Sequence, residues 1–211
     1  MIQLFCVWNK GIFPPFEGRE EANLILGTDL LEHPEKAEGA NNIVIVGGGV
    51  VGCETAHWLA NEYGKNVTVL EMLPHFMMGV CTANRGHLLH YLEKSGVRLY
   101  NCTKVKALAK DGVYVEQNQS QTVPDPYNTW QPLLPPNIPN PMEKAIKEEI
   151  VEKKIPADLI VLAMGGKADE TFFFEAGEEH LAKEIYNIGD SSRAGRVLEA
   201  VRGAYHLAVR I

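Results

Sequence analysis

No stretch of this sequence is long and apolar enough to cross a bilayer as a helix, which takes ~20 residues, and residues 1–16 lack the pattern of a secretory signal. A membrane is therefore not expected as a partner, and a cytoplasmic location is. Positive charge is also short: 20 Lys and Arg stand against 27 Asp and Glu, a formal net charge of -7, with no local basic patch. Nucleic acid would need such a patch, so it is not expected either. Cysteine is sparse. Cys6, Cys53, Cys81 and Cys102 are widely separated and form no C-x-x-C, which argues against a redox disulfide or a zinc ribbon and leaves reduced thiols in or near the core. The seven His residues show no metal-ligand spacing. His87 and His90, three apart on an expected helix, lack an acidic third ligand, so a solvated or packed pair is the plainer reading and no metal is assigned. No side chain stands out as an acid, base or nucleophile, and no catalytic residue is assigned.

What is present suits a soluble globular chain. The 211 residues, 45% hydrophobic and 22% charged, suffice for one large domain or one and a half. The informative stretch is Ile43 to Glu71. Ile43-Val44-Ile45-Val46 is a short apolar run that suits a strand covered on both faces. Gly47-Gly48-Gly49-Val50-Val51-Gly52 follows, then a helical pattern ending at Gly64, then a second apolar strand, Val67 to Leu70, closed by Glu71. A strand, G-x-G-x-x-G turn, helix and strand in this order form the dinucleotide-binding fingerprint.

Each part has a physical task. Gly47 permits the tight turn, Gly49 lets a pyrophosphate approach the backbone, and Gly52 lets the helix pack against the strand. The phosphates would sit on free N–H groups at the positive end of the helix. Glu71 follows Gly52 by 19 residues, near the ~20 expected of the acid that holds the adenosine ribose. A carboxylate there repels a 2′-phosphate, and Met72 to Phe76 contain no Arg or Lys, so NAD(H) is expected over NADP(H). A ligand-free tight turn is the plainer reading of the glycines alone, but it does not account for the helix, second strand and acid together. An adenosylmethionine site is the main mimic, and the third glycine, Gly52, favours the dinucleotide.

Along the rest of the chain, residues 1–40 are expected to be a strand (Ile2 to Trp8) and a connecting arm broken at Gly11, Pro14, Pro15 and Gly18. A helix capped by Thr82 or Asn84 is expected to run to Ser95 with Leu88, Leu89 and Leu92 inward, then a third strand at Val97 to Tyr100. Thr103–Leu108 and Val113–Glu116, joined around Asp111-Gly112, form a hairpin that Ile150 to Ile155 extends to a meander. Between them lies a proline-rich insertion, about 117–142, with seven prolines from Pro124 to Pro141. It is expected to be an extended or mobile loop, with a loose surface excursion the plainer reading. Its Tyr127, Trp130, Leu133 and Leu134 are candidates to dock on a surface or partner. Glu143 to Glu149 is expected as a short helical turn. Leu159 to Met164 is a last buried strand before Gly165-Gly166, and Phe172 to Phe174 form an apolar cluster of core or interface type. Ile185 to Ile188 is a short strand, followed by Gly189-Asp190. A final helix then places Val197, Ala200, Val201, Ala204 and Leu207 on one face.

The strings Val46 to Ala56 and Tyr186-Asn187-Ile188-Gly189-Asp190, in this order around the meander, resemble the two-dinucleotide-binding-domain flavoprotein reductases. The nearest likeness is to the C-terminal part of the NADH:flavin oxidoreductase and 2-enoate reductase family. The resemblance implies an α/β fold: a Rossmann-like three-layer domain with a central parallel sheet and an antiparallel meander, plus remnants of a second, FAD-type domain. It divides the chain into an arm over 1–40, an NAD(H)-binding domain over 41–184 and a flavin-domain strand and helix over 185–211. By the same resemblance Gly47, Gly48, Gly49, Val50, Val51, Gly52 and Glu71 hold NAD(H), and Gly165 approaches the nicotinamide. Asp190 sits where the family holds the FAD ribityl chain, and Glu54 where related reductases pair a helix acid with a basic residue near the flavin. A first-turn acid complementing the helix dipole explains Glu54 equally well. The sequence has no second glycine fingerprint, so an FAD is expected only with a missing half, a flavoprotein partner subunit or a homo-oligomer. Two functions follow: the nicotinamide domain of a flavin-dependent NADH oxidoreductase, or a non-catalytic nucleotide-binding or scaffold module that docks onto another subunit.

Overall fold

A computed structural model describes residues 2–5 by their backbone, and residues 10–130, 134, 138, 140, 141 and 143–211 in full. In chain order the elements are β1 (Ile2–Phe5), β2 (Lys10–Gly11), β3 (Leu24–Leu26), α1 (Gly27–Glu32), β4 (Asn42–Val46), α2 (Val50–Tyr63), β5 (Asn66–Leu70), α3 (Thr82–Lys94) and β6 (Arg98–Tyr100). There follow β7 (Thr103–Ala109), β8 (Gly112–Asn118), β9 (Ile150–Pro156), β10 (Leu159–Leu162), β11 (Gly166–Lys167), α4 (Thr171–Glu178), β12 (Glu184–Asn187) and α5 (Val197–Ala208). Two compact units result: Phe13–Met164, and Met1–Ile12 with Gly165–Ile211. Among the described residues no helix is long and apolar enough to cross a membrane.

The larger unit is built on a five-stranded sheet in the order β3-β10-β4-β5-β6, parallel throughout. Its strands are apolar on both faces because both are covered. Ile43, Ile45, Val67, Val69, Leu159 and Val161 pack with Leu59 of α2 and with Leu89 and Leu92 of α3. The alternate residues Val44, Val46, Leu70, Ile160 and Leu162 pack with Leu108, Val113, Val115 and Ile155 of the antiparallel sheet β7-β8-β9. Helices, parallel sheet and meander make the three layers expected of the α/β fold.

Several expectations need correction. Residues 13–40 are part of the larger unit, not an arm. β3 pairs with β10 in register Ile160↔Leu24 to Leu162↔Leu26, so three consecutive apolar residues, too few to show a period, form an edge of the main sheet. The unit boundaries accordingly fall at 12/13 and 164/165 rather than at 40/41 and 184/185. Cys81, not Thr82 or Asn84, occupies the N-cap of α3, and no side chain caps it. Glu143 to Glu149 forms no helical turn. It is held extended instead: Thr122 Oγ1 accepts from Lys147 N at 2.7 Å, and Asn118 bonds Lys147 O and Glu149 N. Tyr127 docks on its own unit, whereas Trp130 and Leu134 are exposed and Leu133 lies outside the described residues. Cys81 is exposed and only Cys53 of the described cysteines is buried; Cys6 lies outside the described residues.

In the smaller unit β1 pairs parallel with β12 and β2 antiparallel with β11. Residues 6–8 of the expected first strand lie outside the described residues. Helix α5 opens with a capping box, Glu199 Oε2 accepting from Arg196 N at 3.0 Å, but none of its residues is buried. Phe172 and Phe174 on α4 are exposed rather than core.

Candidate functional site

The glycine turn joins β4 to α2. Gly47 has φ +114°, a conformation L-residues rarely adopt, and a Cβ there would run into the Ala163 carbonyl. A Cβ on Gly52 would strike Gly47 O, so this glycine sets the close approach of helix to strand. Gly49 is different. It is the N-cap of α2, exposed, and a Cβ would meet nothing within 4 Å. The chain's own packing does not demand glycine there, whereas a ligand lying against the backbone would.

Helix α2 has no side-chain cap and no acid in its first turn. The first helical amide bond is Cys53 N to Gly49 O, at 3.0 Å, so the amides before it point out of the positive end of a 14-residue helix. The Glu71 carboxylate stands beside this opening. Its Oε2 accepts from Gly48 N at 2.8 Å and its Oε1 from Leu73 N at 2.8 Å. An ionised carboxylate has about four acceptor sites, so both oxygens keep capacity for ribose hydroxyls. These residues fit the adenosine and pyrophosphate of a dinucleotide.

The wall behind the turn was not foreseen. Phe76, wholly buried, lies where a Cβ on Gly48 would fall, and Met77 N donates to Gly48 O at 2.8 Å. Arg85 and Asn101 support this wall from behind, donating to Phe76 O and Pro74 O. Arg85 had a sequence signal: it stands four and seven residues before Leu89 and Leu92 on the buried side of α3. Cys53 completes the back of the turn, its thiol 3.6 Å from Gly48 O. Burial first, and the Glu71 charge second, push that thiol up to about 12, so it is protonated and is not a nucleophile. Glu54 is exposed on α2.

The structure therefore brings together Gly47, Gly48, Gly49, Val50, Val51, Gly52 and Glu71. Gly165 and Asp190 belong to the smaller unit. Gly165 is exposed with φ +85°. Asp190 accepts from Gly195 N at 3.2 Å beside a cleft of about 670 Å³ lined by Asn187, Gly189, Arg193, Arg196 and Glu199 among others. Among the described residues of this unit no G-x-G-x-x-G turn joins a strand to a helix. Among the described residues no group of three His, Cys, Asp or Glu side chains is arranged to hold a metal ion.

The family described as pyridine nucleotide-disulphide oxidoreductase matches residues 11–201. The bilirubin reductase of Mediterraneibacter gnavus is 27% identical over 195 residues, which make up 92% of this chain and 25% of that protein. The NADH oxidase of Thermoanaerobacter brockii is 25% identical over 210 residues, 99% of this chain and 27% of that one. A 2-naphthoyl-CoA reductase shares the fold, with a TM-score of 0.77 at 24% identity over 100% of this chain and 27% of its own. The chain thus spans about a quarter of the length of the curated relatives it matches.

Proposed function

Because the chain belongs to the pyridine nucleotide-disulphide oxidoreductase family, a family of flavin-dependent NAD(P)H oxidoreductases, we propose that Phe13–Met164 binds NAD(H) and positions it for hydride transfer to a flavin. The observation that carries the reading is the Glu71 carboxylate, fixed by Gly48 N–H at the mouth of an uncapped helix. When bound, NADH supplies the hydride; the protein supplies the geometry. The N–H groups of Val50, Val51 and Gly52 receive the pyrophosphate, and Gly49 leaves room for it. Glu71 accepts from the ribose hydroxyls and repels a 2′-phosphate. In the smaller unit, Gly165 and Asp190 are assigned by family likeness alone to a nicotinamide end and a flavin ribityl chain, and a flavin's remaining contacts come from further residues, a flavoprotein partner subunit or a second copy.

Titration of the purified protein with NADH and NADPH tests this. Saturable NADH binding, tighter than NADPH, is expected. No saturable NADH binding, or a preference for NADPH, would overturn the assignment.

One observation favours a second reading, a nucleotide-binding module that docks onto another subunit without turnover. Helix α5 exposes Val197, Leu198, Val201 and Tyr205, each more than half accessible, and such a face is costly to leave in water. Flavin retained through purification would count against that reading; a colourless protein that fails to oxidise NADH would support it.

A further inference from the structure

We propose that Arg85 and Asn101 are positioning residues that clamp the loop after Glu71 to the start of the proline-rich segment, and that this clamp sets affinity for the adenosine half of NAD(H). The proposal rests on the nucleotide-binding reading above. Both side chains are buried, at 2% and 4% exposure, and both divide their donors in the same way. Arg85 Nε donates to Phe76 O at 2.9 Å and Nη1 to Asn128 O at 2.9 Å. Asn101 Nδ2 donates to Pro74 O at 2.7 Å and to Pro124 O at 2.9 Å. Two side chains from different places, one on α3 and one just past β6, thus each tie the 72–78 loop to residues 124–128. His75 Nε2, 3.7 Å from Glu143 Oε1, adds a third contact at the far end of the segment.

The loop so held is the one that shapes the site. Phe76 backs Gly48, Met77 N bonds Gly48 O, and Leu73 N fixes Glu71 Oε1. Phe76 and Met77 anchor the loop in the core, but Met72, Leu73 and Met78 are exposed, and Met77 has φ 52°, an unfavourable conformation for a long side chain. The main chain between is held by other elements: Cys102 N donates to Leu73 O at 3.1 Å, Asn101 to Pro74 O and Arg85 to Phe76 O. A buried guanidinium is costly unless it is fully bonded, and apolar packing would fill the same space with less penalty. What a guanidinium adds is a directional bond to each of two segments at once. Residues 124–128 are therefore the outer half of the nucleotide site's support.

Three variants test the clamp: Arg85→Met, Arg85→Lys and Asn101→Ala, in the full chain. The readouts are dissociation constants for NADH, ADP-ribose and nicotinamide mononucleotide, and amide exchange at Leu73–Met77 without nucleotide. Loss of a buried bond of this kind corresponds to roughly a tenfold change. Arg85→Met and Asn101→Ala are expected to weaken NADH and ADP-ribose by the same factor, about tenfold, while nicotinamide mononucleotide is unaffected and loop exchange accelerates. Arg85→Lys, able to keep one of the two bonds, falls between. The double variant weakens binding by less than the product, because both changes release one loop. Unchanged ADP-ribose affinity in folded variants overturns the proposal, as does an equal loss for nicotinamide mononucleotide, which signals general damage. If Arg85→Met does not fold, Asn101→Ala and Arg85→Lys decide the matter. If the unaltered protein binds neither NADH nor ADP-ribose, the nucleotide-binding reading falls separately, and unaccelerated exchange in the variants would overturn the clamp.

Discussion

The Glu71 carboxylate gives one oxygen to Gly48 N–H and the other to Leu73 N–H, so it builds the turn whether or not a nucleotide binds there. Glu71→Gln separates this from a simple charge effect. Glutamine offers one carbonyl oxygen, so one of the two N–H groups, Gly48 or Leu73, loses its acceptor and faces the NH₂, at a cost of about 1 kcal/mol. The variant is expected to unfold at lower urea concentration and to lose discrimination between NADH and NADPH. Unchanged stability would mean that the carboxylate does not hold the turn. The turn built by Gly47 and Gly52, with Glu71 beside it, was legible because local spacing encodes a strand-turn-helix-strand unit. Phe76 and Asn101 were not, since what matters about them is the atom they touch across the fold, and no local period records it.

Among the elements, the paired strands and long helices were readable from apolar runs and glycine stops, whereas β3 was too short to show a period. Past β8, the described residues of the proline-rich segment form a loop without helix or strand, as expected, but which of its side chains docks depends on a tertiary contact that no local pattern records. Strand β6 is an edge of the sheet, and an edge leaves main-chain groups without a strand partner. Tyr127 meets two of them: its hydroxyl donates to Val97 O at 2.6 Å and accepts from Leu99 N at 3.2 Å. Burial raises the phenol's pKa, so it remains protonated and able to donate at neutral pH. Tyr127→Phe keeps the ring and removes both bonds. Urea denaturation should show a loss of about 1 kcal/mol, with faster amide exchange at Leu99. No change at Leu99 would mean that water serves the edge equally well.

For the whole molecule, each compact unit has an aspartate that main-chain or side-chain donors stabilise in its charged form. In the larger unit, Asp158 Oδ2 accepts from Asn41 N at 3.0 Å and Asn42 N at 2.7 Å, and these bonds lower its pKa. Through them the start of β10 holds the start of β4. In the smaller unit, Asp169 bonds Lys10 and Thr171, which bring its pKa down to about 2. An unfolded aspartate titrates near 3.9. Both folded values lie below that, so the unfolded chain takes up these protons first as pH falls. The contribution is complete above about pH 4 and is lost as pH drops toward 2. The urea midpoint is therefore expected to fall across this window, and Asp158→Asn and Asp169→Asn should each flatten part of the fall. Asp158 is exposed and Asp169 keeps 26% of its side-chain surface in solvent, so solvent screens both and each effect is small. Carboxyl resonances followed by NMR provide the direct check: Asp169 titrating at or above the unfolded value would contradict the ion pair with Lys10, and the same result for Asp158 would contradict the tie between β10 and β4.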